Sequence, residues 1–174
     1  IYVSSNIGRD KSAIVEYDLA AKKEIKEIYS NPNFDVDGLS FSAKRKVLTM
    51  ANFTSWKAEH HFLDKETEAD YKKMGDKFNG YEISIYGNNN AEDKFVVWTG
   101  NDKVAAKYYF YDKATGETKF LAEAFPWLKE GDMASMKPIE YKSRDGLTIH
   151  GYLTLPKGYE AKNLPVVINP HGGP

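Results

Sequence analysis

Apolar and polar residues alternate with a period of two through much of residues 1–125, the spacing of strands with one buried face. Three short runs share one form: Ile14-Val15-Glu16-Tyr17-Asp18, His60-His61-Phe62-Leu63-Asp64 and Tyr108-Tyr109-Phe110-Tyr111-Asp112. Each reads as a strand closed by an aspartate that begins a turn. A second strand precedes each, at Ile1-Tyr2-Val3-Ser4, Val47-Leu48-Thr49-Met50 and Phe95-Val96-Val97-Trp98-Thr99. A further strand is expected after each, over 24–29, 71–74 and 118–121. Two of the units also carry a leading strand, Asp37-Gly38-Leu39-Ser40-Phe41-Ser42 and Tyr81-Glu82-Ile83-Ser84-Ile85-Tyr86.

Four strands recurring at roughly 40–50 residues are the pattern of β-propeller blades. Residues 1–125 are therefore expected to hold two full four-stranded blades and part of another. An antiparallel sandwich with an accidental repeat is the alternative. A ring needs at least about four blades, so the chain, which opens inside a strand and without Met, is expected to be an internal piece of a longer protein.

The pattern changes after Phe125. Pro126 and Gly131 bracket a short breaker-rich stretch, and residues 126–136 are expected to be a hinge. Two alternating runs follow, 138–143 and 147–155, joined by Arg144-Asp145-Gly146, a strong hairpin signal. Val166-Val167-Ile168 then has the composition of a buried strand, which Pro170 must end. His171-Gly172-Gly173-Pro174 closes the chain. A buried strand breaking into His-Gly-Gly is a pattern that supplies one oxyanion-hole donor in α/β-hydrolases.

In this order, Ile-Glu-Tyr-x-Ser-x-Asp-Gly, Ile-x-Gly-Tyr-Leu-x-x-Pro and Pro-Val-Val-x-x-x-His-Gly-Gly-Pro, residues 137–174 resemble the start of the hydrolase domain in the prolyl oligopeptidase family. The His-Gly-Gly-Pro form is most similar to its acylaminoacyl peptidase and dipeptidyl peptidase-like branch. The resemblance implies a mainly β chain: a partial propeller over 1–125, a hinge over 126–136, and the first strands of a truncated α/β-hydrolase domain over 137–174. It implies a serine peptidase acting on peptide or acyl-peptide bonds without a cofactor. Gly172 and Gly173 would lie on the oxyanion side, offering backbone N–H groups where no side chain intervenes. His171 would position that loop by a side-chain hydrogen bond. Nucleophile, acid and base are not among these residues, so this stretch alone is expected to be inactive. The paired glutamates with which dipeptidyl peptidases of the family hold a substrate amine are not visible. A non-catalytic propeller binding module and a carboxylesterase of the same superfold stay open.

Other residues carry less. Gly38-Leu39-Ser40-Phe41-Ser42 misses the last glycine of a nucleophile elbow and reads as a strand with Leu39 and Phe41 on one face. His60 and His61 point to opposite sides of a strand and so cannot chelate a metal from one side. Lys44-Arg45-Lys46 reads as a solvated turn.

Composition narrows the remaining classes. The chain is 41% hydrophobic, 14% aromatic and 28% charged, with net charge −1 and both signs interspersed, which gives no electrostatic case for nucleic acid. No apolar run approaches the ~18 residues of a membrane span. There is no cysteine, hence no disulfide or thiolate chemistry, a usage that suits cytoplasmic and periplasmic or secreted settings alike. Self-association is also expected. A cut propeller leaves a face with Ile1, Val3, Ile14 and Tyr17 uncovered, and residues 137–174 offer unpaired strands.

Overall fold

The computed structural model describes residues 1–172 and divides them into two units. The first comprises residues 1–101 and 105–125, the second residues 102–104 and those from Pro126 on.

The first unit is three successive antiparallel sheets. β1 (Tyr2–Ser5), β2 (Ala13–Asp18) and β3 (Lys23–Tyr29) form the first. β4 (Val36–Ser42), β5 (Val47–Thr54) and β6 (Ala58–Phe62) form the second. After the helix α1 (Lys65–Lys77), strands β7 (Glu82–Asn88), β8 (Lys94–Gly100), β9 (Lys107–Asp112) and β10 (Thr118–Glu123) form the third. Each is an up-and-down meander in which neighbours in sequence pair, so the mainly β repeat is present.

One expected strand is not. Residues 71–74 lie inside α1, and the second sheet has three strands and a helix where four strands were expected. The divergence begins at the middle one of the three recurring aspartates. Asp18 accepts the amides of Ala20 and Ala21, and Asp112 those of Ala114 and Thr115, and after both the chain turns back into a strand. Asp64 accepts the Thr67 amide as an N-cap, with Glu66 and Glu68 in the first turn favoured by the helix dipole. Tyr71, Met74 and Phe78 then recur on one face.

That face fills the space between the second and third sheets. Met74 is fully buried among Met50, Tyr71, Phe78, Phe95, Val97 and Tyr111. A second core joins the first two sheets through Ile14, Val36, Ala51 and Phe53. Ile14 therefore does not lie on an uncovered face, and Val15, its neighbour on the other side of β2, is buried as well. Phe41 also departs from expectation. The register of β4 shifts between Ser40 and Phe41, so Leu39 packs on the core while Phe41 is 54% exposed.

In the second unit a 3-10 turn (Glu130–Asp132) precedes a regular two-stranded hairpin, β11 (Met136–Lys142) and β12 (Thr148–Thr154). Gly146 has φ +88° in its connection, a conformation that glycine adopts without strain. The expected strand at Val166-Val167-Ile168 is not formed: these residues are 81%, 92% and 83% exposed and outside any sheet. A β-branched run becomes a strand only by pairing. Pro165 and Pro170 remove donors on either side, and among the described residues no strand lies beside it.

Candidate functional site

The sequence points to the chain end, and the structure gives that region limited form. His171 and Gly172 lie in exposed, irregular chain, with His171 Nδ1 within hydrogen-bonding distance of the Gly172 carbonyl. A β-carbon on Gly172 would meet nothing within 4 Å. Gly173 and Pro174 lie outside the described residues. Upstream, the hairpin turn is held by Asp145, whose carboxyl is kept below its usual range by the Ser143 hydroxyl and the Leu147 amide. Across the hairpin, His150 Nδ1 stands 3.2 Å from Glu140 Oε1, both on the exposed surface.

The other conspicuous residues take structural roles. Ser40 lies within β4, its hydroxyl 3.3 Å from Asn52 Nδ2, and Gly38 beside it passes so close to Asn52 that a β-carbon would stand 2.9 Å from the Asn52 β-carbon. That close approach, not an elbow, is what the glycine permits. His60 and His61 face opposite ways. His60 bonds Asn52 Oδ1 at 2.8 Å and meets the Tyr71 ring edge-on, while His61 stacks on Tyr29 at 3.9 Å. Burial holds the His60 imidazole below its usual pKa, with the Ile83 backbone and Glu82 acting the other way. Among the described residues no group of three or more His, Asp or Glu is placed to hold a metal, and no helix is long and apolar enough to cross a membrane.

A charged constellation missed in the sequence lies between the second and third sheets, around a cavity of about 560 Å³. Arg45, expected to be solvated, donates to Asp64 at 2.7 Å and to Thr67 Oγ1 at 2.9 Å. Lys113, from the β9–β10 turn, reaches Glu66 at 2.7 Å and Asp70 at 2.6 Å. Glu92, from the β7–β8 turn, accepts the Ser42 hydroxyl and the Lys44 amide. Each charge here is met by another group, so three turns are tied together around the start of α1. The signal that could have found it is Asp64 followed by Glu66 and Glu68, a helix-start pattern.

The first unit is thus a repeat of blade-like meanders and the second holds a two-stranded hairpin. Comparison with known proteins agrees with that class. The chain is 25% identical to dipeptidyl aminopeptidase BIII of Pseudoxanthomonas mexicana, over 181 aligned residues that cover 100% of the chain and 26% of the relative. The chain thus spans about a quarter of the length of this curated relative. Among solved structures, one from a study of two prolyl endopeptidases and the role of inter-domain dynamics in their catalysis and specificity matches 91% of the chain and 23% of its own. The TM-score is 0.55 at 14% identity, a likeness of fold. A post-proline cleaving enzyme from Rickettsia typhi matches 87% of the chain and 22% of its own, at TM-score 0.46 and 14% identity. No family model matches. The chain therefore resembles the prolyl oligopeptidase family in sequence through a dipeptidyl aminopeptidase, and in fold through a prolyl endopeptidase.

Proposed function

We propose that the chain is part of a serine peptidase of the prolyl oligopeptidase family. Residues 1–125 come from its propeller, 126–136 form the hinge, and 137–174 begin its α/β-hydrolase domain. The observation that carries this is the match along the entire chain to a dipeptidyl aminopeptidase, which includes the stretch ending in His-Gly-Gly-Pro.

On this reading the whole enzyme attacks a peptide or acyl-peptide carbonyl with a serine, a histidine acting as general base and an aspartate orienting it. The backbone N–H of Gly172 or Gly173 is one donor to the tetrahedral oxyanion, and His171 positions the loop. One such donor typically stabilises the transition state by about 2.7–4 kcal/mol. The triad lies outside residues 1–174, so this stretch by itself is inactive. Its partners are a peptide substrate, for the whole protein, and further copies of itself. The exposed Val166-Val167-Ile168 run fits this reading: it has the composition of a core strand and waits for a sheet to pair with.

The coding sequence beyond Pro174 tests the proposal. A Gly-x-Ser-x-Gly elbow followed by Asp and His within the next ~150 residues, a typical domain length, is expected. Its absence overturns the proposal in favour of a binding module. Parallel assays with peptide nitroanilides and nitrophenyl esters separate a peptidase from a carboxylesterase.

A further inference from the structure

The last strands of the three sheets differ in how their outer edges are protected. In the third sheet β9 is covered by β10, and β10 has a register shift between Phe120 and Ala122. In the first sheet β3 carries Lys23, Glu24, Lys26 and Glu27, and its pairing with β2 shifts register twice. Charges and bulges of this kind blunt an edge. In the second sheet α1 replaces the fourth strand but packs against the sheet's face through Tyr71, which meets His60 and Phe62. β6 is left as the outer edge, with an unbroken register to β5 and one acid, Glu59.

The ladder says which groups that edge presents. The Leu63 amide donates to the Thr49 carbonyl, and the Ser55 amide to the Lys57 carbonyl. Pairing alternates, so Glu59 and His61 bond inward to β5 while Ala58, His60 and Phe62 point their N–H and C=O groups outward. From this we infer that β6 pairs antiparallel with β6 of a second copy about a two-fold axis at His60. His60 would then exchange both backbone bonds with its equivalent, and Ala58 would pair with Phe62 of the other copy. Glu59 would fall opposite His61 of the other copy, twice, in the closely spaced non-hydrogen-bonded positions where cross-strand side chains meet.

The sequence Ala-Glu-His-His-Phe is thus self-complementary about this axis. Moving the axis by one residue either way puts Glu59 opposite Glu59, or His61 opposite His61. His61 is suited to the pairing: its ring is fixed flat on Tyr29, and among the described residues its nitrogens bond to none. The product is a continuous six-stranded sheet with isologous symmetry, the commonest closed arrangement. A five-residue strand pair is at the weak end of interfaces, below about 1,200 Å². The inference stands independently of the peptidase reading.

Sedimentation of the 174-residue chain over a concentration series, with native mass spectrometry, tests it. Wild type is expected to show a concentration-dependent monomer–dimer equilibrium. Glu59→Lys removes the acceptor opposite His61, and His61→Glu sets two carboxylates against each other, so each variant alone is expected to be monomeric. Mixed in equal amounts they are expected to form a heterodimer. The lysine introduced into one variant then meets the glutamate introduced into the other, and the native His61 and Glu59 meet at the second contact. Circular dichroism checks that both variants fold. A wild type that stays monomeric to its solubility limit overturns the inference. So does a dimer that either variant retains, which would place association elsewhere, as does failure of two folded variants to pair.

Discussion

Arg45 Nη1 stands 2.7 Å from Asp64 Oδ2, the same oxygen that accepts the Thr67 amide at 2.9 Å. A turn of the second sheet thereby grips the N-cap of the helix that replaces its fourth strand. The two contacts can be separated. Asp64→Ala removes both and is expected to cost about 1–2 kcal/mol, the upper half of the range for N-cap loss. Asp64→Asn keeps a good cap and loses only the ion pair, for a loss below about 1 kcal/mol. Urea unfolding monitored by circular dichroism measures both, and equal losses would mean that the cap contributes nothing beyond the ion pair.

Met74 is fully buried at the centre of the core between the second and third sheets. Met74→Ala leaves a cavity there and is expected to destabilise the chain by about 2–5 kcal/mol. Glu68→Ala, on the exposed face of α1, is expected to change stability by less than about 0.5 kcal/mol. Comparable midpoints for the two variants would mean that α1 does not pack as described.

Acid should weaken the fold in two stages. Burial depresses the His60 pKa, so the unfolded chain binds a proton there more readily than the folded one. This contribution is therefore complete above the unfolded value of about 6.5 and is lost as pH falls from there toward the folded value. Lys113 lowers Glu66, and for Asp64 the Thr67 amide and Arg45 outweigh the opposing effect of burial. Those carboxylates contribute fully above the ordinary range near 4, and their contribution fades below it. Melting temperatures of wild type and His60→Gln between about pH 7.5 and 5, a window spanning the ordinary histidine value, check the first stage. The variant is expected to show the shallower decline, and parallel curves would exclude His60 as its source.

Much of the repeat was legible because strands alternate with a period of two and aspartates close them in the same way each time. The same regularity hid α1. Asp64 aligns with Asp18 and Asp112, and only the residues after it, Glu66, Glu68 and the Tyr71, Met74, Phe78 face, distinguish a helix from a returning strand. The Arg45, Lys113 and Glu92 constellation joins positions far apart in the chain, which local spacing cannot reveal. Val166-Val167-Ile168 has strand composition without strand structure, since propensity is expressed only against a neighbouring strand.

The central proposal places the reactive serine outside residues 1–174. Labelling with a fluorophosphonate probe, followed by mapping of the modified peptide, tests it most directly. The 174-residue chain is expected to remain unlabelled and to hydrolyse neither aminoacyl-nitroanilides nor nitrophenyl esters. The product of the complete open reading frame is expected to label at one serine, beyond Pro174 and within a Gly-x-Ser-x-Gly sequence. Stoichiometric labelling of any serine in residues 1–174, or none in the complete product, would contradict the account.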